Sequence, residues 1–125
     1  WGSKDGGAEL AMVYVSDQLT NTLVKNMLKK LGAKVVKCST KDQALLHVHN
    51  CTIGVVQAEN KASEGAKFVQ SVRSAGLELP IACALPSSEW PKSDCLESGF
   101  TTVLSRIVGL EELRSLLTLA KSAGS

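Results

Sequence analysis

The feature that most constrains this chain is an alternation of short apolar runs with segments whose apolar residues recur at helical spacing. The apolar runs predict five strands, at residues 9–15, 34–38, 53–56, 79–85 and 101–104. A strand followed by a helix, repeated five times, places the strands in one parallel sheet. We therefore predict an α/β fold, a doubly wound five-stranded parallel sheet with helices on both faces.

The segments between the predicted strands carry the start and stop signals of helices. Residues 16–18 form a turn with capping side chains, and Gly32 ends the helical spacing that follows it. Residues 39–40 cap a second helix in the same way. Further helices are predicted at residues 66–75, 87–98 and 110–120.

The composition limits the size of the domain and its partners. A chain of 125 residues with 44% hydrophobic residues is expected to form one domain around an aliphatic core. A net charge of +2, without a basic run interleaved with aromatics, argues against a nucleic-acid partner. No apolar stretch approaches the roughly 20 residues of a membrane span, so we expect no direct membrane insertion. We assign residues 9–121 to the domain, residues 1–8 to a cloning remnant or linker, and residues 122–125 to a tail.

The cysteines and histidines do not form a pattern typical of metal ligands. The four cysteines contain no CxxC pair, and three of them lie in or beside apolar runs, which is typical of buried thiols. We interpret His47 and His49 as the solvated end of a helix instead of a pair of metal ligands. We expect no metal site and no cofactor.

Four features occur in order along the chain: residues 15–35 (VSDQLTNTLVKNMLKKLGAKV), the spacing from Gln57 to Gly65, residues 74–85 (SAGLELPIACAL) and residues 94–117 (DCLESGFTTVLSRIVGLEELRSLL). Together they resemble the receiver domain of response regulators, most closely the receivers of hybrid histidine kinases. The resemblance covers most of the predicted domain. It implies a flavodoxin-like (βα)5 fold and a role in two-component signalling.

The resemblance also implies where a phosphorylation site would lie. In that family two acidic residues after strand one help to hold Mg²⁺, and an Asp at the end of strand three accepts the phosphoryl group. A Thr or Ser follows strand four, and a Lys follows strand five. By position, the acidic pair falls on Ser16 and Asp17, the acceptor on Gln57, the hydroxyl residue on Ala84 or Leu85, and the Lys on Arg106.

These replacements predict a degenerate pocket. A carboxamide has no anionic oxygen and is a poor nucleophile, so Gln57 is not expected to accept a phosphoryl group. Mg²⁺ prefers carboxylate oxygens, and Asp17 stands nearly alone, with Glu59 as a partial substitute at most. We expect Arg106 to pair with Asp17 and to hold the pocket closed with Gln57. The alternative is that Arg106 points into solvent.

The chain is therefore predicted to be a pseudoreceiver, a non-phosphorylatable regulatory protein–protein interaction module in a hybrid sensor histidine kinase. We expect no catalytic residue and no enzymatic activity. The partner is expected to be another protein or another domain of the same protein, such as a histidine kinase, a phosphotransfer domain or a receiver, and a homodimer is a further option. The candidate interaction face is formed by Trp90, Phe100, Ile107 and Val108, of which Trp90 is expected to be hard to bury. We expect a cytoplasmic location, in the cytoplasmic portion of a membrane-bound kinase.

Two alternatives stay open. The first is an atypical phosphoryl-accepting receiver, which would need Asp17 or Glu59 as its nucleophile. The second is a small-ligand sensor that uses the degenerate pocket, with Cys38 or Cys83 as part of an apolar lining.

Overall fold

The computed structural model describes residues 9–124 as a sheet with helices on both faces. The strands are β1 Leu10–Tyr14, β2 Lys34–Lys37, β3 Ile53–Gln57, β4 Ile81–Ala84 and β5 Thr102–Val103. The helices are α1 Gln18–Lys30, α2 Lys41–His47, α3 Glu64–Ser74, α4 Lys92–Glu97 and α5 Leu110–Gly124, and a 3₁₀ turn at Val48–Asn50 follows α2. The predicted α/β fold is confirmed.

The five strands form one parallel sheet in the order β2-β1-β3-β4-β5. The chain moves outward from β1 to β2 and then returns past β1 to β3, so the direction of winding reverses between β1 and β3. In α/β sheets, ligands bind at the carboxyl ends of the strands at such a reversal. The register places Tyr14 beside Val56 and Gln57 beside Ala84. Tyr14, Gln57 and Ala84 are the last residues of their strands and therefore lie together at the carboxyl end of the sheet.

Side chains that alternate along the strands build two apolar layers. Met12, Val56 and Cys83 face the layer that also holds residues of α2, α3 and α4. Val13 and Val55 face the layer that holds residues of α1 and α5. Successive side chains of a strand point to opposite faces, and a parallel sheet buried on both faces therefore has nearly continuous apolar strands.

The element boundaries differ from the sequence-based ones mainly in the last third of the chain. The fourth helix was predicted from residue 87, but α4 begins only after Pro91. Before it lies a turn in which the Trp90 N–H donates to the Ser87 carbonyl at 3.0 Å. β5 has only two residues, and α5 continues to Gly124, past the predicted helix end at 120. The predicted remnant or linker at residues 1–8 lies outside the described residues.

Within residues 9–124, no helix is both long and apolar enough to cross a membrane.

Candidate functional site at the carboxyl edge of the sheet

An open cleft lies at the carboxyl ends of β1 and β3, where the winding of the sheet reverses. Its volume is about 410 Å³. The lining residues are Tyr14, Ser16, Ser39, Gln57, Glu59, Ser63, Glu64 and Gly65. The fold thus brings together the predicted pocket residues Ser16 and Gln57 with side chains from β1 and from the first turn of α3.

Gln57 is tied to the loop between β1 and α1 by its side-chain oxygen. Oε1 accepts a hydrogen bond from Ser16 Oγ at 3.1 Å and a second one from the Asp17 backbone N–H at 2.9 Å. The residue at the predicted acceptor position therefore contacts both residues at the predicted acidic-pair positions. These contacts hold the end of β3 against the start of α1.

Asp17 acts as the N-cap of α1. Its Oδ2 accepts from the Thr20 backbone N–H at 3.0 Å, and this hydrogen bond lowers the pKa of the Asp17 carboxyl below its ordinary value. The fully exposed carboxylate thus satisfies a backbone donor of the helix.

Ala84 and Leu85, at the predicted hydroxyl position, are apolar parts of the core layer formed by α1 and α5. Ala84 is buried and Leu85 is half-buried. Leu85 has a φ of 57°, in the left-handed region that residues other than glycine rarely adopt. Neither residue offers a hydroxyl to a ligand in the cleft.

Arg106 does not pair with Asp17, so that prediction was wrong. Its guanidinium donates from Nη2 to the Pro86 carbonyl at 3.2 Å, across the loops that follow β4 and β5. Arg106 is exposed, as the alternative interpretation expected. Its hydrogen bond joins the loop after β5 to the loop after β4 and does not close the cleft.

Gly65, eight residues after Gln57, allows α3 to approach the end of β3. A Cβ atom at this position would collide with the backbone carbonyl of Gln57 and would lie 2.9 Å from Val56 Cγ1. Since no other residue lacks a Cβ, this contact explains physically why the sequence has glycine at this spacing.

Two further residues, Tyr14 and Asn21, shape the site. Tyr14 lines the cleft and packs edge-on against Phe68, with 5.8 Å between ring centroids. Burial, and then the charge of Glu64, raise the pKa of the Tyr14 phenol, which stays protonated. Asn21 is buried, and its Nδ2 donates to the Val15 carbonyl at 2.9 Å, which fixes the strand-to-helix turn. The polar end of an otherwise apolar β1 was the available signal for Tyr14, whereas the burial of Asn21 had none.

The predicted interaction face is mostly buried. Trp90 is 9% exposed and packs edge-on against Phe100, with 6.1 Å between the ring centroids. Phe100 and Val108 are buried as well, and only Ile107, at 85% exposure, reaches solvent. Trp90, which was expected to be hard to bury, is nevertheless largely buried, because the turn before α4 folds its indole into the layer of α2, α3 and α4.

The residues present do not fit a Mg²⁺ ion of the kind that the resemblance implies. Ser16 supplies no carboxylate, Gln57 Oε1 already accepts two hydrogen bonds, and the Asp17 carboxylate caps α1. The Glu59 backbone carbonyl accepts from Ser87 N–H at 3.0 Å. Among residues 9–124, no group of three or more His, Cys, Asp or Glu side chains could hold a metal ion.

Comparison with known proteins gives structural neighbours only. No protein-family model matches the chain, and no curated protein is significantly similar to it. A Francisella receiver domain, that of response regulator 1452, is similar in structure, with a TM-score of 0.75 and 21% identity over 92% of this chain and 98% of that one.

Two further receiver domains are similar to the same degree. The one from the Pseudomonas aeruginosa sensor histidine kinase PA1611, solved with a magnesium ion in its active-site cleft, has a TM-score of 0.73 and 18% identity over 92% of this chain and 99% of that one. The one from the Mycobacterium tuberculosis response regulator NarL has a TM-score of 0.73 and 19% identity, over 91% of this chain and 97% of that one. At such identities the similarity establishes a shared fold.

Proposed function

Because the chain has the fold of response-regulator receiver domains, we propose that it is a pseudoreceiver, a receiver-like domain that accepts no phosphoryl group. In this proposal it takes part in two-component signalling through contacts with other proteins or domains and has no enzymatic activity. The similar P. aeruginosa domain belongs to a sensor histidine kinase, which supports a place in the cytoplasmic part of a hybrid kinase.

The observation that carries the proposal is the pair of hydrogen bonds to Gln57 Oε1. The position where an attacking carboxylate would lie holds a neutral carboxamide, whose oxygen already accepts from Ser16 Oγ and Asp17 N–H. A carboxamide is a poor nucleophile, and a phosphoryl donor would also have to displace both hydrogen bonds.

The surroundings of the cleft support a domain with one fixed conformation. A ligand shifts a conformational equilibrium only if it makes different contacts in the two states. Ala84 and Leu85 offer no hydroxyl that could follow a bound phosphoryl group. β5 contains no aromatic residue, and the preceding Phe100 is packed against Trp90 in the core.

The contact residue that the structure supports best is Ile107. It lies on the loop between β5 and α5, it is the one exposed member of the predicted interaction face, and an exposed branched aliphatic side chain suits an apolar contact. In this proposal Trp90, Phe100 and Val108 are buried core residues and do not contact the partner.

The test is an NMR titration of the ¹⁵N-labelled chain with beryllofluoride and Mg²⁺. We expect the amide signals of Ser16, Asp17, Gln57 and Arg106 to stay where they are, because the acceptor position holds the neutral carboxamide of Gln57 instead of a carboxylate that could bind the fluoride complex. Saturable shifts confined to these residues would contradict the proposal and would favour an atypical phosphoryl-accepting receiver with Asp17 or Glu59 as its nucleophile.

The open cleft also favours the small-ligand alternative. It is lined by hydroxyl groups, by two carboxylates and by the ring of Tyr14. Cys83 is fully buried and is not part of the lining, so the thiol lining that we expected is limited to Cys38, which lines an adjoining depression. In the same NMR experiment, a small molecule that shifted Tyr14, Ser39 and Glu64 without phosphodonor would support this alternative.

A further inference from the structure

The basic residues of this chain are concentrated in one segment. Residues 18–41 contain six lysines and no acidic residue, although the whole chain carries a net charge of only +2. The rest of the chain therefore holds eight basic against twelve acidic residues. The segment corresponds to α1, the edge strand β2 and the start of α2, so the charge is concentrated around the β2 end of the sheet.

The exposed side of α1 combines this charge with apolar side chains. Leu19, Leu23 and Met27 recur at intervals of four residues and therefore share one face of the helix. Leu19 is 80% exposed, and Leu23 and Met27 are half-buried beside a shallow depression that exposed Lys29 and Lys30 also line. We call these five residues the α1 face.

We infer that the α1 face is a docking surface for an anionic lipid membrane. A helix with an apolar stripe beside lysines lies in the interface of a bilayer, with the apolar residues at headgroup depth and the ammonium groups at the phosphates. Long lysine side chains reach outward while their methylene stems cover apolar surface. The contact is peripheral, so no segment has to cross the bilayer.

The shape of the α1 face favours a lipid surface over a partner helix. An amphipathic helix supplied by a peptide partner is typically bound in a groove formed between elements, into which its apolar face settles. The depression on α1 is lined by residues of that single helix, so the surface is convex and only shallowly indented. Such a surface fits the deformable headgroup layer of a membrane.

The inference rests on α1 and does not depend on the proposed function. The lysines of β2 have a simpler explanation, because charged residues on an edge strand discourage pairing with other chains. They strengthen the positive field around α1, but the specific contacts are those of the α1 face.

The test is co-sedimentation of the full chain with vesicles of phosphatidylcholine alone and of phosphatidylcholine mixed with phosphatidylserine. We expect binding to the mixed vesicles that is at least about tenfold stronger than to the neutral ones and that weakens as salt is added. Equal binding to both kinds of vesicle, or binding to neither, would overturn the inference.

Matched variants separate the α1 face from the overall charge. Lys29→Glu/Lys30→Glu should reduce binding to the mixed vesicles at least about tenfold, whereas Lys67→Glu/Lys92→Glu, two exposed lysines on α3 and α4, should reduce it much less. Leu19→Ser should likewise weaken binding more than Leu46→Ser, since Leu46 is 72% exposed on α2. Equal losses in either pair would show that binding follows net charge or general hydrophobicity, and would overturn the inference.

Discussion

Gln57 differs from an aspartate at the same position by one methylene group and by the lack of a negative charge. The extra length lets Oε1 reach both Ser16 Oγ and the Asp17 N–H at hydrogen-bond distance. An aspartate would therefore lose reach while gaining charge, and Ser16 would still supply no carboxylate beside it. Gln57 thus replaces a nucleophilic carboxylate with a carboxamide whose oxygen holds the loop between β1 and α1 by two hydrogen bonds.

At this scale we expect Gln57→Asp alone to create no phosphorylation site. Ser16 supplies no second carboxylate for Mg²⁺, and Ala84 and Leu85 supply no hydroxyl. Intact-mass spectrometry after incubation with acetyl phosphate and Mg²⁺ should show the mass of the unmodified variant. Gln57→Asn is the matched control, because it shortens the side chain without adding a charge. A phosphorylated species in the aspartate variant, absent in the asparagine variant, would show that the cleft retains the chemistry.

The sequence was sufficient to locate residues of the cleft, but not to predict the directions in which long side chains point. Gln57 could be placed because an apolar strand that ends in polar residues is a definite pattern, and Gly65 because its spacing from Gln57 is part of the resemblance to receiver domains. Arg106 could not, because an exposed guanidinium can reach several acceptors, and the Pro86 carbonyl became its neighbour only through the geometry of two loops. The burial of Trp90 likewise depends on a partner ring, Phe100, ten residues further along the chain.

The start of α5 is held by three hydrogen bonds to one carboxylate, that of Glu112. Glu112, in its first turn, accepts from the Gly109 N–H at 3.0 Å through Oε1, which is one half of a capping box. Its Oε2 accepts from Ser105 Oγ at 2.7 Å and from the Ser105 N–H at 2.9 Å. Partial burial acts to raise the pKa of Glu112, but these hydrogen bonds outweigh it and lower the pKa below its ordinary value. The loop that carries Arg106 and Ile107 is thus closed by one carboxylate.

At the scale of this element we expect Glu112→Gln to lower the free energy of unfolding by about 1 kcal/mol at neutral pH. Because the folded-state pKa is lowered, the charged carboxylate stabilises the fold above its unfolded-state pKa, and this contribution is lost as the pH falls through the folded-state pKa. Urea unfolding at several pH values should therefore show the two proteins converging in acid.

Glu111→Gln is the control for this prediction. Glu111 pairs only with Arg114 on the surface, at 2.9 Å and with both side chains exposed, so its replacement should cost less than about 0.5 kcal/mol. Equal effects of the two substitutions would show that the hydrogen bonds of Glu112 do not stabilise the loop.

Element types were easier to predict than element ends. The helical spacing of α1 and α5 and the apolar run of β3 gave their positions, because periodicity is set by the faces that become buried. The start of α4 was predicted too early, since the segment before it has no strong periodicity and its turn is stabilised by the burial of Trp90. Tertiary packing of this kind leaves no local sequence signal.

At the scale of the molecule, the sheet separates two apolar layers. All four cysteines are buried free thiols. All four lie in the layer of α2, α3 and α4. Burial raises the pKa of Cys51 to about 11 and that of Cys83 to about 12, and it raises the pKa of Cys38 and Cys95 as well. The thiols are therefore protonated and shielded in the folded chain.

At this scale we expect the thiols to react only when the molecule unfolds. With Ellman's reagent at neutral pH, the native chain should show almost no reaction, because the thiolate is the reactive form and reagent access is blocked. In guanidinium chloride all four thiols should react at once. A thiol that reacts in the native chain as fast as in denaturant would show that its part of the layer opens readily.

The two outer strands of the sheet affect how the chain behaves in a crowded solution. β5 has only two residues, and β2 begins and ends with an exposed lysine. An unpaired strand edge is a template on which a copy of the same chain can add its own strand, and repeated addition leads to fibres. Here one edge is too short to hold a second strand, and the other brings like charges together when two copies approach. We therefore expect the sheet to end at its outer strands instead of growing from one molecule to the next.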